Sequence, residues 1–335
     1  MDKVLVTGGC GFIGSHLVNY LANKGKKVVV LDNFAGGKAN LKYIEKDAKI
    51  IRGSIESRNA CRKALKGVDT VFHIAAHAAE GQSVFVPIFN AKTNLIGSIT
   101  LLTEAINSRI EDFVFTSTIA VYGRPKKLPV NEEHPLQPED PYGITKKAFE
   151  DYLRVYYELG RIKPYIVRFF NVFGPRQRLD DPYRGVVPIF INRIMQNKPP
   201  IIFGDGLQKR AFTYITDIIE PLYKIVGKKK LINNPINIGN TEVWSVKRLA
   251  ETIIKKMGAN LKPEFVPRRK SDVKVIYADI TKAKKLLNYK PRVTINEGLD
   301  YTIEWALREG PKKFKYMDYF EIEKLAHSAY KKKQL

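Results

Sequence analysis

Tyr142 and Lys146, four residues apart, form the pair in this sequence with the clearest capacity for proton transfer. Asp140 is a plausible N-cap and Pro141 suits the first helical position, so both side chains are predicted in the opening turns of a helix, on one face. A lysine ammonium beside a phenol favours the phenolate, which can act as a base. Because a Tyr-x-x-x-Lys pair alone is more often a surface pair, its interpretation depends on the residues around it.

A hydroxyl group is available near this pair. A strand predicted at residues 113–115 runs into Thr116, Ser117 and Thr118, about two dozen residues before Tyr142. Alternate residues of a strand share a face, so Thr116 and Thr118 point one way and Ser117 points the other. We choose Thr118 as the hydroxyl that assists the base, with Ser117 as the alternative.

A glycine-rich turn near the N-terminus predicts a binding site for a pyrophosphate. The apolar run at residues 4–6 stops at residues 7–14, TGGCGFIG, and an amphipathic pattern follows. Gly8 permits the tight turn, Gly11 lets the backbone approach the pyrophosphate, and Gly14 lets the helix lie near the strand. Because strand, turn and helix in this order aim helix N–H groups at the anion, we expect a bound dinucleotide.

The choice of dinucleotide follows from the next strand. A second apolar run, residues 27–31, ends on Asp32, where a carboxylate can bind the adenosine ribose hydroxyls. A 2′-phosphate there would meet a negative charge instead of an arginine, so Asp32 favours NAD over NADP. The positive nicotinamide ring would then act together with Lys146, and we expect Tyr142 to titrate close to neutrality.

Length and composition describe an ordinary globular protein. The 335 residues suffice for one large or two modest cores, with 44% apolar and 27% charged residues. The chain enters its first strand without a basic-then-apolar leader or an apolar run of about eighteen residues or more, so we expect a cytoplasmic protein without a membrane segment. Cys10 and Cys61 lack metal-like spacing and are expected to stay reduced, and no metal site is predicted.

The net charge of +23 arises from 57 Lys and Arg residues against 34 Asp and Glu residues. Solvated lysine-rich faces, steering of a polyanionic small molecule, and nucleic-acid binding are three possible reasons. The basic residues are spread out, with short runs at 228–230 and 331–333, and no basic region alternates with exposed aromatics. We therefore favour solvated faces and rank nucleic acid last.

Apolar runs alternate with helical patterns through the first half of the chain. This alternation predicts an α/β fold, a Rossmann-like doubly wound parallel sheet with helices on both faces. Ligands bind beyond the carboxyl ends of such strands, so Ala75, Thr118 and Asn171 should gather around the cofactor. Further strands are predicted at 49–52, 70–74 and 200–203, and helices at 57–66, 90–108, 142–159 and 186–197.

Eight segments resemble, in order, the motifs of the extended short-chain dehydrogenase/reductase family, and within it the NAD-dependent nucleotide-sugar epimerases of the UDP-glucose 4-epimerase type. They are TGGCGFIG, LDNFAGG, HIAA, NLIGS, TSTIAVYG, PYGITK, RFFNVFGP and FGDGLQKRAFTYITD. The resemblance implies a smaller α/β substrate-binding domain beside the Rossmann domain. The expected division is an NAD-binding domain at 1–172 with a return segment near 206–238, and a substrate-binding domain at 173–205 and 239–335.

The resemblance also implies roles for individual residues. Tyr142 would be the base, Lys146 would lower its pKa and hold the nicotinamide ribose, and Thr118 would hydrogen-bond the sugar O4. The residues expected at the NAD site are Gly8, Gly11, Phe12, Ile13, Asp32, Asn33, Ser54, Ile55, Ala75, Ala76, Asn94, Thr116, Tyr142 and Lys146. Those expected at the substrate are Thr118, Asn171, Phe203, Arg210, Arg269, Asp272 and Ile276.

The implied substrate residues suit a sugar nucleotide. Arg210 and Arg269 map onto phosphate ligands, and guanidinium groups suit a diphosphate. Asp272 maps onto a ribose contact and Asn171 onto a contact with the sugar diphosphate. Phe203 maps onto an aromatic residue beside the uracil base, although a role as a core strand residue explains it nearly as well.

The sequence also departs from the family pattern. Many members carry an Asp after the third strand for the adenine amino group, where this chain has Ser54, so the adenine contact stays open. Dehydratases and decarboxylases usually place an acidic residue after the catalytic Ser or Thr, but the apolar residues 119–120 follow Thr118 and cannot supply an acid or a base. His73 and His77 are assigned structural or cofactor-wall roles.

These features predict an NAD-dependent UDP-hexose 4-epimerase that interconverts UDP-glucose and UDP-galactose through a transient 4-keto sugar. The enzyme alternative is a UDP-glucuronate 4-epimerase or another nucleotide-sugar modifying enzyme. The non-enzyme alternative, a dinucleotide-sensing or RNA-binding protein on the same fold, would be expected to lose Thr118, Tyr142 or Lys146, and all three are present. The resemblance makes a homodimer through helices 90–108 and 142–159 the default assembly.

One position bears on the choice of hexose. In the epimerases that this chain resembles, the residue four positions after the Asp272 equivalent lies near the sugar C2 substituent, and a tyrosine there leaves no room for an acetamido group. This chain has Ile276, so we expect it to accept UDP-N-acetylglucosamine and UDP-N-acetylgalactosamine as well. A shifted strand register would place Tyr277 in the pocket instead.

Overall fold

A computed structural model describes residues 2–269 and 273–333 of the chain. The strands are β1 (Lys3–Thr7), β2 (Lys27–Asp32), β3 (Lys49–Arg52), β4 (Thr70–His73), β5 (Asp112–Thr118), β6 (Lys163–Phe169), β7 (Val172–Phe173), β8 (Ile201–Phe203), β9 (Lys209–Ala211), β10 (Thr213–Tyr214), β11 (Ile236–Ile238), β12 (Val243–Ser245), β13 (Glu264–Val266) and β14 (Val275–Ile276). The helices are α1 (Phe12–Asn23), α2 (Arg58–Leu65), α3 (Glu80–Ser83), α4 (Pro87–Ala91), α5 (Gly97–Asn107), α6 (Pro141–Glu158), α7 (Val186–Met195), α8 (Ile215–Lys224), α9 (Val246–Lys256), α10 (Thr281–Leu287), α11 (Ile295–Glu309) and α12 (Ser328–Lys331).

The predicted parallel sheet is confirmed. Seven strands pair in the order β11-β6-β5-β4-β1-β2-β3, and every pairing in this sheet is parallel. The order reverses between β1 and β4, and a crevice forms beyond the carboxyl ends of the strands at such a reversal. The sheet therefore has a ligand-binding edge where the glycine turn follows β1.

The strands of this sheet are buried on both faces, which explains their continuous apolar runs. In β1, Val4 and Val6 belong to the core cluster that contains Leu17 and Leu21 of α1. Leu5, which lies between them, belongs to the cluster on the other face with residues of α2 and α5. Because adjacent strand residues point to opposite faces, this one short run contributes to both helical layers.

Three small sheets lie outside the seven-stranded sheet. They pair β7 with β10, β8 with β13, and β9 with both β12 and β14. The chain returns to the large sheet after residue 205, because α8 contacts α1 and β11 pairs with β6 at the edge. The division into an NAD-binding and a substrate-binding domain stays a prediction.

Most predicted elements begin and end within two residues of the observed ones. The segment predicted as one helix at 90–108 is not a continuous α-helix, because a π-helical turn at Lys92–Ile96 separates α4 from α5. No strand or helix was predicted after residue 203, where the described residues form β9 to β14 and α8 to α12. Among the described helices, none is both long and apolar enough to span a bilayer.

Candidate active site

A cavity of about 820 Å³ lies at the carboxyl edge of the large sheet. Its wall combines the glycine turn after β1, the first turns of α6, and strands β8, β9 and β14 of the small sheets. The cavity volume lies within the range of small-molecule sites, roughly 300–1,000 Å³. One cavity therefore brings together the parts predicted for a cofactor and for a second ligand.

The glycine turn leaves no room for side chains where it meets its neighbours. Gly8 has a φ of +67°, and a Cβ atom there would lie 2.8 Å from the Cα atom of Ala75. A Cβ atom at Gly14 would lie 2.1 Å from the carbonyl oxygen of Gly8. Helix α1 has no side-chain cap at its start and no acidic residue in its first turn. Its N–H groups and dipole therefore suit an anion such as the pyrophosphate of NAD.

Asp32 ends β2 with its carboxylate held in place. Its two oxygens accept hydrogen bonds from the backbone N–H groups of Cys10, at 2.9 Å, and Phe34, at 2.7 Å. Burial raises the pKa of Asp32, and the two N–H groups oppose that rise. A carboxylate oxygen can accept more than one hydrogen bond, so the group can still accept from ribose hydroxyls.

Thirteen of the fourteen residues predicted at the NAD site line this cavity. They are Gly8, Gly11, Phe12, Ile13, Asp32, Asn33, Ser54, Ile55, Ala75, Ala76, Thr116, Tyr142 and Lys146. Their placement fits an extended dinucleotide along the glycine turn and the ends of β2 to β5. The contact of each residue with NAD stays a prediction.

Asn94 is the exception. It is buried, and its amide oxygen accepts from the backbone N–H of His77 at 2.7 Å while its amide nitrogen donates to the carbonyl oxygen of the same residue at 3.1 Å. Asn94 lies in the π-helical turn, which changes the direction of side chains relative to a regular α-helix. The side chain of Asn94 therefore does not line the cavity but holds the loop that carries His77, and its expected contact with the cofactor stays a prediction.

The start of α6 is built as the sequence predicted. Asp140 is the N-cap and accepts from the backbone N–H of Gly143 at 2.8 Å, and Pro141 occupies the first turn. The N–H of Tyr142 donates to the hydroxyl of Ser83 at 3.2 Å, which fixes the tyrosine at the cavity wall. Thr118, at the end of β5, lies within hydrogen-bonding reach of the Tyr142 phenol and lowers its pKa.

The overall direction of the Tyr142 pKa differs from the expectation. Burial raises this pKa above its usual range, the charges of Glu80 and Asp140 add to the rise, and Thr118 and Arg184 oppose it. The protein's own groups therefore do not bring the phenol close to neutrality. The lowering expected from Lys146 is not found, because the lysine nitrogen lies 5.9 Å from the centre of the tyrosine ring and bonds elsewhere.

Lys146 is fully enclosed beside the tyrosine. Its ammonium nitrogen donates to the carbonyl oxygen of Thr116 at 2.9 Å and lies 4.6 Å from the centre of the Phe115 ring. Burial lowers the pKa of Lys146 to about 7, and the negative charge of Glu150 opposes that change. Burial therefore disfavours the charged form of this lysine, and the Glu150 carboxylate favours it.

Ser117 points away from the cavity, as the alternation along β5 predicted. Its hydroxyl donates to the carboxylate of Glu150, and that carboxylate forms a buried ion pair with Arg168 at 2.6 Å. The hydroxyl near Tyr142 is therefore that of Thr118, our first choice, and Ser117 belongs to a polar network behind the strand. The catalytic role of Thr118 itself stays a prediction.

The two histidines have structural partners. His73 is buried, with one ring nitrogen 2.8 Å from the Thr7 hydroxyl and the other 2.8 Å from the Ser98 hydroxyl, and burial lowers its pKa well below the usual value. His77 bonds Gln82 at 2.7 Å, and burial lowers its pKa to about 4. Neither ring is therefore suited to proton transfer at neutral pH. Within the described part of the chain, no cluster of His, Cys, Asp and Glu could hold a metal ion.

The residues predicted for the substrate line the other half of the cavity. They are Thr118, Asn171, Phe203, Arg210, Arg269 and Ile276. Asn171 has a φ of +40°, and its side-chain nitrogen donates to the carbonyl oxygen of Ala211 at 3.2 Å. Asp272, predicted with this group, lies outside the described residues. Substrate contacts for the whole group stay predictions.

The small three-stranded sheet fixes two of these side chains. In β9 and β14, Arg210 is paired with Ile276, so both side chains lie on the cavity wall at the same level. Ile276 is buried, whereas Tyr277 is absent from the cavity wall and its carbonyl oxygen accepts from the N–H of Val130. The strand register therefore presents Ile276 and not Tyr277 to the cavity.

Several residues of the cavity wall were not predicted. Glu80, Arg178 and Arg184 lie near the reacting end, and Tyr316, Met317 and Tyr330 come from the chain after α11. No local pattern marks them, since none lies at the carboxyl end of a predicted strand. A cavity wall built from the C-terminal residues depends on the tertiary fold, which spacing along the chain does not show.

The chain is similar to known UDP-sugar epimerases over most of its length. The chain is 36% identical over 313 residues to the uncharacterized UDP-glucose epimerase YtcB of Bacillus subtilis, covering 90% of this chain and 97% of that protein. Its fold matches the UDP-glucose 4-epimerase of Thermotoga maritima, solved with UDP-glucose, with a TM-score of 0.86 and 36% identity over 92% of this chain and 99% of that one.

A third similar protein was solved with NAD bound. The UDP-glucuronic acid 4-epimerase of Bacillus cereus, solved with UDP-glucuronic acid and NAD, has a TM-score of 0.84 and 32% identity, covering 92% of this chain and 99% of that one. The model of the NAD-dependent epimerase/dehydratase family matches residues 4–239, which include the glycine turn, Asp32 and the Tyr142 and Lys146 pair. The chain belongs to the NAD-dependent epimerase/dehydratase family, and NAD is its cofactor.

Proposed function

We propose that this protein is a UDP-hexose 4-epimerase that interconverts UDP-glucose and UDP-galactose and also accepts the N-acetylated pair. The observation that carries the proposal is the placement of Tyr142, Thr118 and Lys146 in one cavity with the glycine turn and Asp32. The apolar residues Ile119 and Ala120 follow Thr118, so the acid that dehydratases and decarboxylases place there is missing. This arrangement supports proton and hydride transfer at one carbon without elimination.

The mechanism assigns a role to each of the three residues. The Tyr142 phenolate takes the proton of the sugar O4, and the Thr118 hydroxyl hydrogen-bonds the same oxygen. Lys146 can hold the nicotinamide ribose, and the positive nicotinamide ring of bound NAD would favour the phenolate, since the protein's own groups raise the pKa of Tyr142. Held by the glycine turn and Asp32, NAD would supply a hydride acceptor for C4 and a hydride donor for the other face of the 4-keto sugar, and the Tyr142 phenol would return its proton to O4.

Return of the hydride to the other face requires the sugar to turn over while the nucleotide stays bound. Arg210 and Arg269 line the same cavity as Tyr142 and can bind the diphosphate as a pivot. Binding energy must therefore concentrate on the nucleotide, because a tightly held hexose could not rotate. This distribution of contacts is consistent with the aromatic and cationic side chains around Phe203.

Charge near Tyr142 favours a neutral hexose over a uronate. Glu80 and Asp140 both lie close enough to raise the pKa of Tyr142, and burial with the charge of Glu80 raises the pKa of Asp140 itself to about 7. The nearby cation Arg184 is paired with Asp181 at 2.8 Å. A C6 carboxylate would bring a further negative charge toward these groups, so UDP-glucuronate is the second candidate and not the first.

Product analysis tests the proposal. The protein should be incubated with UDP-galactose, UDP-N-acetylgalactosamine and UDP-glucuronate in separate reactions, and the products separated by chromatography. We expect the first two to be converted to their C4 epimers without net NADH formation. Conversion of UDP-glucuronate alone would favour the uronate epimerase. Absence of any UDP-sugar interconversion, together with tight RNA binding, would contradict an enzymatic function.

We also propose a homodimer. Helix α6 and the π-helical turn before α5 expose large apolar side chains, among them Ile96, Ile144, Tyr152 and Val155. An exposed apolar surface of this kind is typical of a protein interface. Sedimentation velocity should give twice the chain mass, and Val155→Glu should shift the protein toward the monomer.

A further inference from the structure

The chain after α11 returns to the candidate active site. Helix α11 ends at Glu309, and the residues from 311 to 333 form only a 3₁₀ turn and the short α12. Even so, Lys315, Tyr316, Met317 and Tyr330 belong to the cavity wall. We call residues 311–333 the C-terminal strap.

The strap is attached to the main body by hydrogen bonds on both sides of the cavity. The carboxylate of Glu321 accepts from the N–H groups of Ile88, at 2.7 Å, and Phe89, at 2.9 Å, at the start of α4. The N–H of Met317 donates to the hydroxyl of Tyr183 at 3.1 Å. Lys315 forms an ion pair with Asp180 at 2.9 Å. These contacts hold the strap in one place over the cavity.

Among the large side chains of the strap, that of Tyr330 is the most deeply enclosed. It is 3% exposed and packs in a cluster with Phe85, Tyr183 and Ile201. Its ring centre lies 6.0 Å from that of Phe203, the residue predicted beside the nucleotide base. The strap therefore reaches the part of the cavity assigned to the nucleotide.

Two strap residues also contact the side chains that are predicted to bind the nucleotide. One guanidinium nitrogen of Arg269 donates to the Tyr330 hydroxyl at 3.3 Å, and the guanidinium lies 4.5 Å from the centre of the Phe203 ring. The ring of His327 packs edge-on against Phe203 at 4.9 Å. The strap therefore contacts both Arg269, which follows β13, and Phe203, which ends β8.

We propose that Tyr330 is a positioning residue for binding of the nucleoside diphosphate. An arginine side chain loses considerable rotamer entropy when it is fixed, so a hydrogen bond that holds it before the ligand arrives should increase affinity. The guanidinium has five N–H donors, and the bond to Tyr330 uses one of them. A guanidinium group suits a diphosphate, and the rings of Tyr330 and Phe203 line the same part of the cavity.

This inference rests on the proposed function for the identity of the nucleotide, and its test is a binding measurement. Tyr330→Phe keeps the ring and removes the hydroxyl. Tyr319→Phe is the matched control, because Tyr319 lies in the same strap and is 61% exposed. In the NAD-loaded protein, we expect Tyr330→Phe to weaken UDP binding in calorimetry by about tenfold or more, the lower end of the range for a hydrogen bond to a charged group. The control should bind UDP as the wild type does.

Kinetics and a double-mutant cycle separate positioning from a purely structural effect. With UDP-galactose, Tyr330→Phe should raise KM by a similar factor and leave kcat within about twofold. In an Arg269→Ala background, Tyr330→Phe should cause no further loss of UDP affinity if it acts through Arg269. Additive losses, or a Tyr330→Phe protein with wild-type UDP affinity, would overturn the inference.

The two proposals can fail separately. If the wild type epimerises UDP-sugars and Tyr330→Phe binds UDP equally well, only the role of Tyr330 is wrong. If the wild type binds UDP but converts no UDP-sugar, and Tyr330→Phe lowers the affinity for UDP, the epimerase assignment is wrong and the role of Tyr330 stands. A wild type that binds no UDP contradicts both.

Discussion

The ammonium nitrogen of Lys146 donates a hydrogen bond to the carbonyl oxygen of Thr116 at 2.9 Å, which ties the first turns of α6 to the end of β5. Thr118 lies two residues further along that strand and Tyr142 one helical turn before the lysine. One hydrogen bond therefore sets the relative positions of the three residues proposed for catalysis. Because Lys146 is buried in this arrangement, its positive charge lowers the stability of the folded protein.

Lys146→Met should stabilise the cofactor-free protein most at low pH. Burial lowers the pKa of Lys146 from 10.5 to about 7, so between those values the unfolded chain holds a proton that the folded chain does not. Stability due to this group therefore rises with pH through that window, and the cost of burying the charge is complete below it. Methionine removes this cost without changing the volume much.

Urea unfolding at about pH 6 and about pH 10 measures this effect. The stability advantage of Lys146→Met over the wild type should be largest at the lower pH and decline toward the higher one. Lys147→Met, on the outer side of the same helix, is the matched control and should show no such trend. An advantage of Lys146→Met that does not vary with pH would show that the lysine is not desolvated as described.

Tyr142→Phe should remove turnover and leave NAD and UDP bound. The phenylalanine keeps the ring but has no phenol to accept the proton from O4, and loss of a general acid–base group costs at least about 10²-fold in rate. Turnover of UDP-galactose and calorimetry with NAD and UDP measure the two properties. Tyr301→Phe, at a half-exposed position on α11, is the control. Activity within a few fold of wild type would assign the base to another residue.

Asp32→Ala should weaken NAD and reduce the discrimination against NADP. The change removes the acceptor for the ribose hydroxyls and also the negative charge that would repel a 2′-phosphate. The affinity for both dinucleotides can be measured by fluorescence titration. Asp47→Ala, at an exposed position just before β3, is the control. Unchanged affinity for both cofactors would remove Asp32 from the ribose site.

Ile276→Tyr should suppress activity on the N-acetylated UDP-sugars and spare UDP-glucose and UDP-galactose. The buried Ile276 side chain lies on the cavity wall, and a tyrosine would fill the space that an acetamido group needs. The ratio of kcat/KM for the two classes of sugar is the measurement. Equal loss for both classes, or no change in either, would show that Ile276 does not select the C2 substituent.

Features set by local spacing were accessible from the sequence. Asp140 and Pro141 fix the start of α6, and helical geometry then places Tyr142 and Lys146 on one face. The position of Asp32 follows from the end of a buried run in the same way. The parallel sheet followed from the alternation of such runs with helical patterns.

Features that depend on tertiary packing were not accessible. Asn94 lies in a π-helical turn, which no residue pattern predicts, and its side chain bonds the backbone of His77. The pKa of Tyr142 is raised because the effect of burial exceeds the lowering by Thr118 and Arg184. Burial depends on packing by the rest of the chain, which local spacing does not show. The contact between Arg269 and Tyr330 joins residues 61 positions apart, so it required the folded strap.

The return of the chain to the large sheet has a consequence for synthesis on the ribosome. Strand β11 pairs with β6, yet nearly seventy residues, 170–235, are made between them. A nascent chain that has completed β6 therefore carries an unpaired sheet edge until residues 236–238 have left the exit tunnel. The emerging polypeptide is most exposed to aggregation during that interval, and a chaperone that protects it would act there.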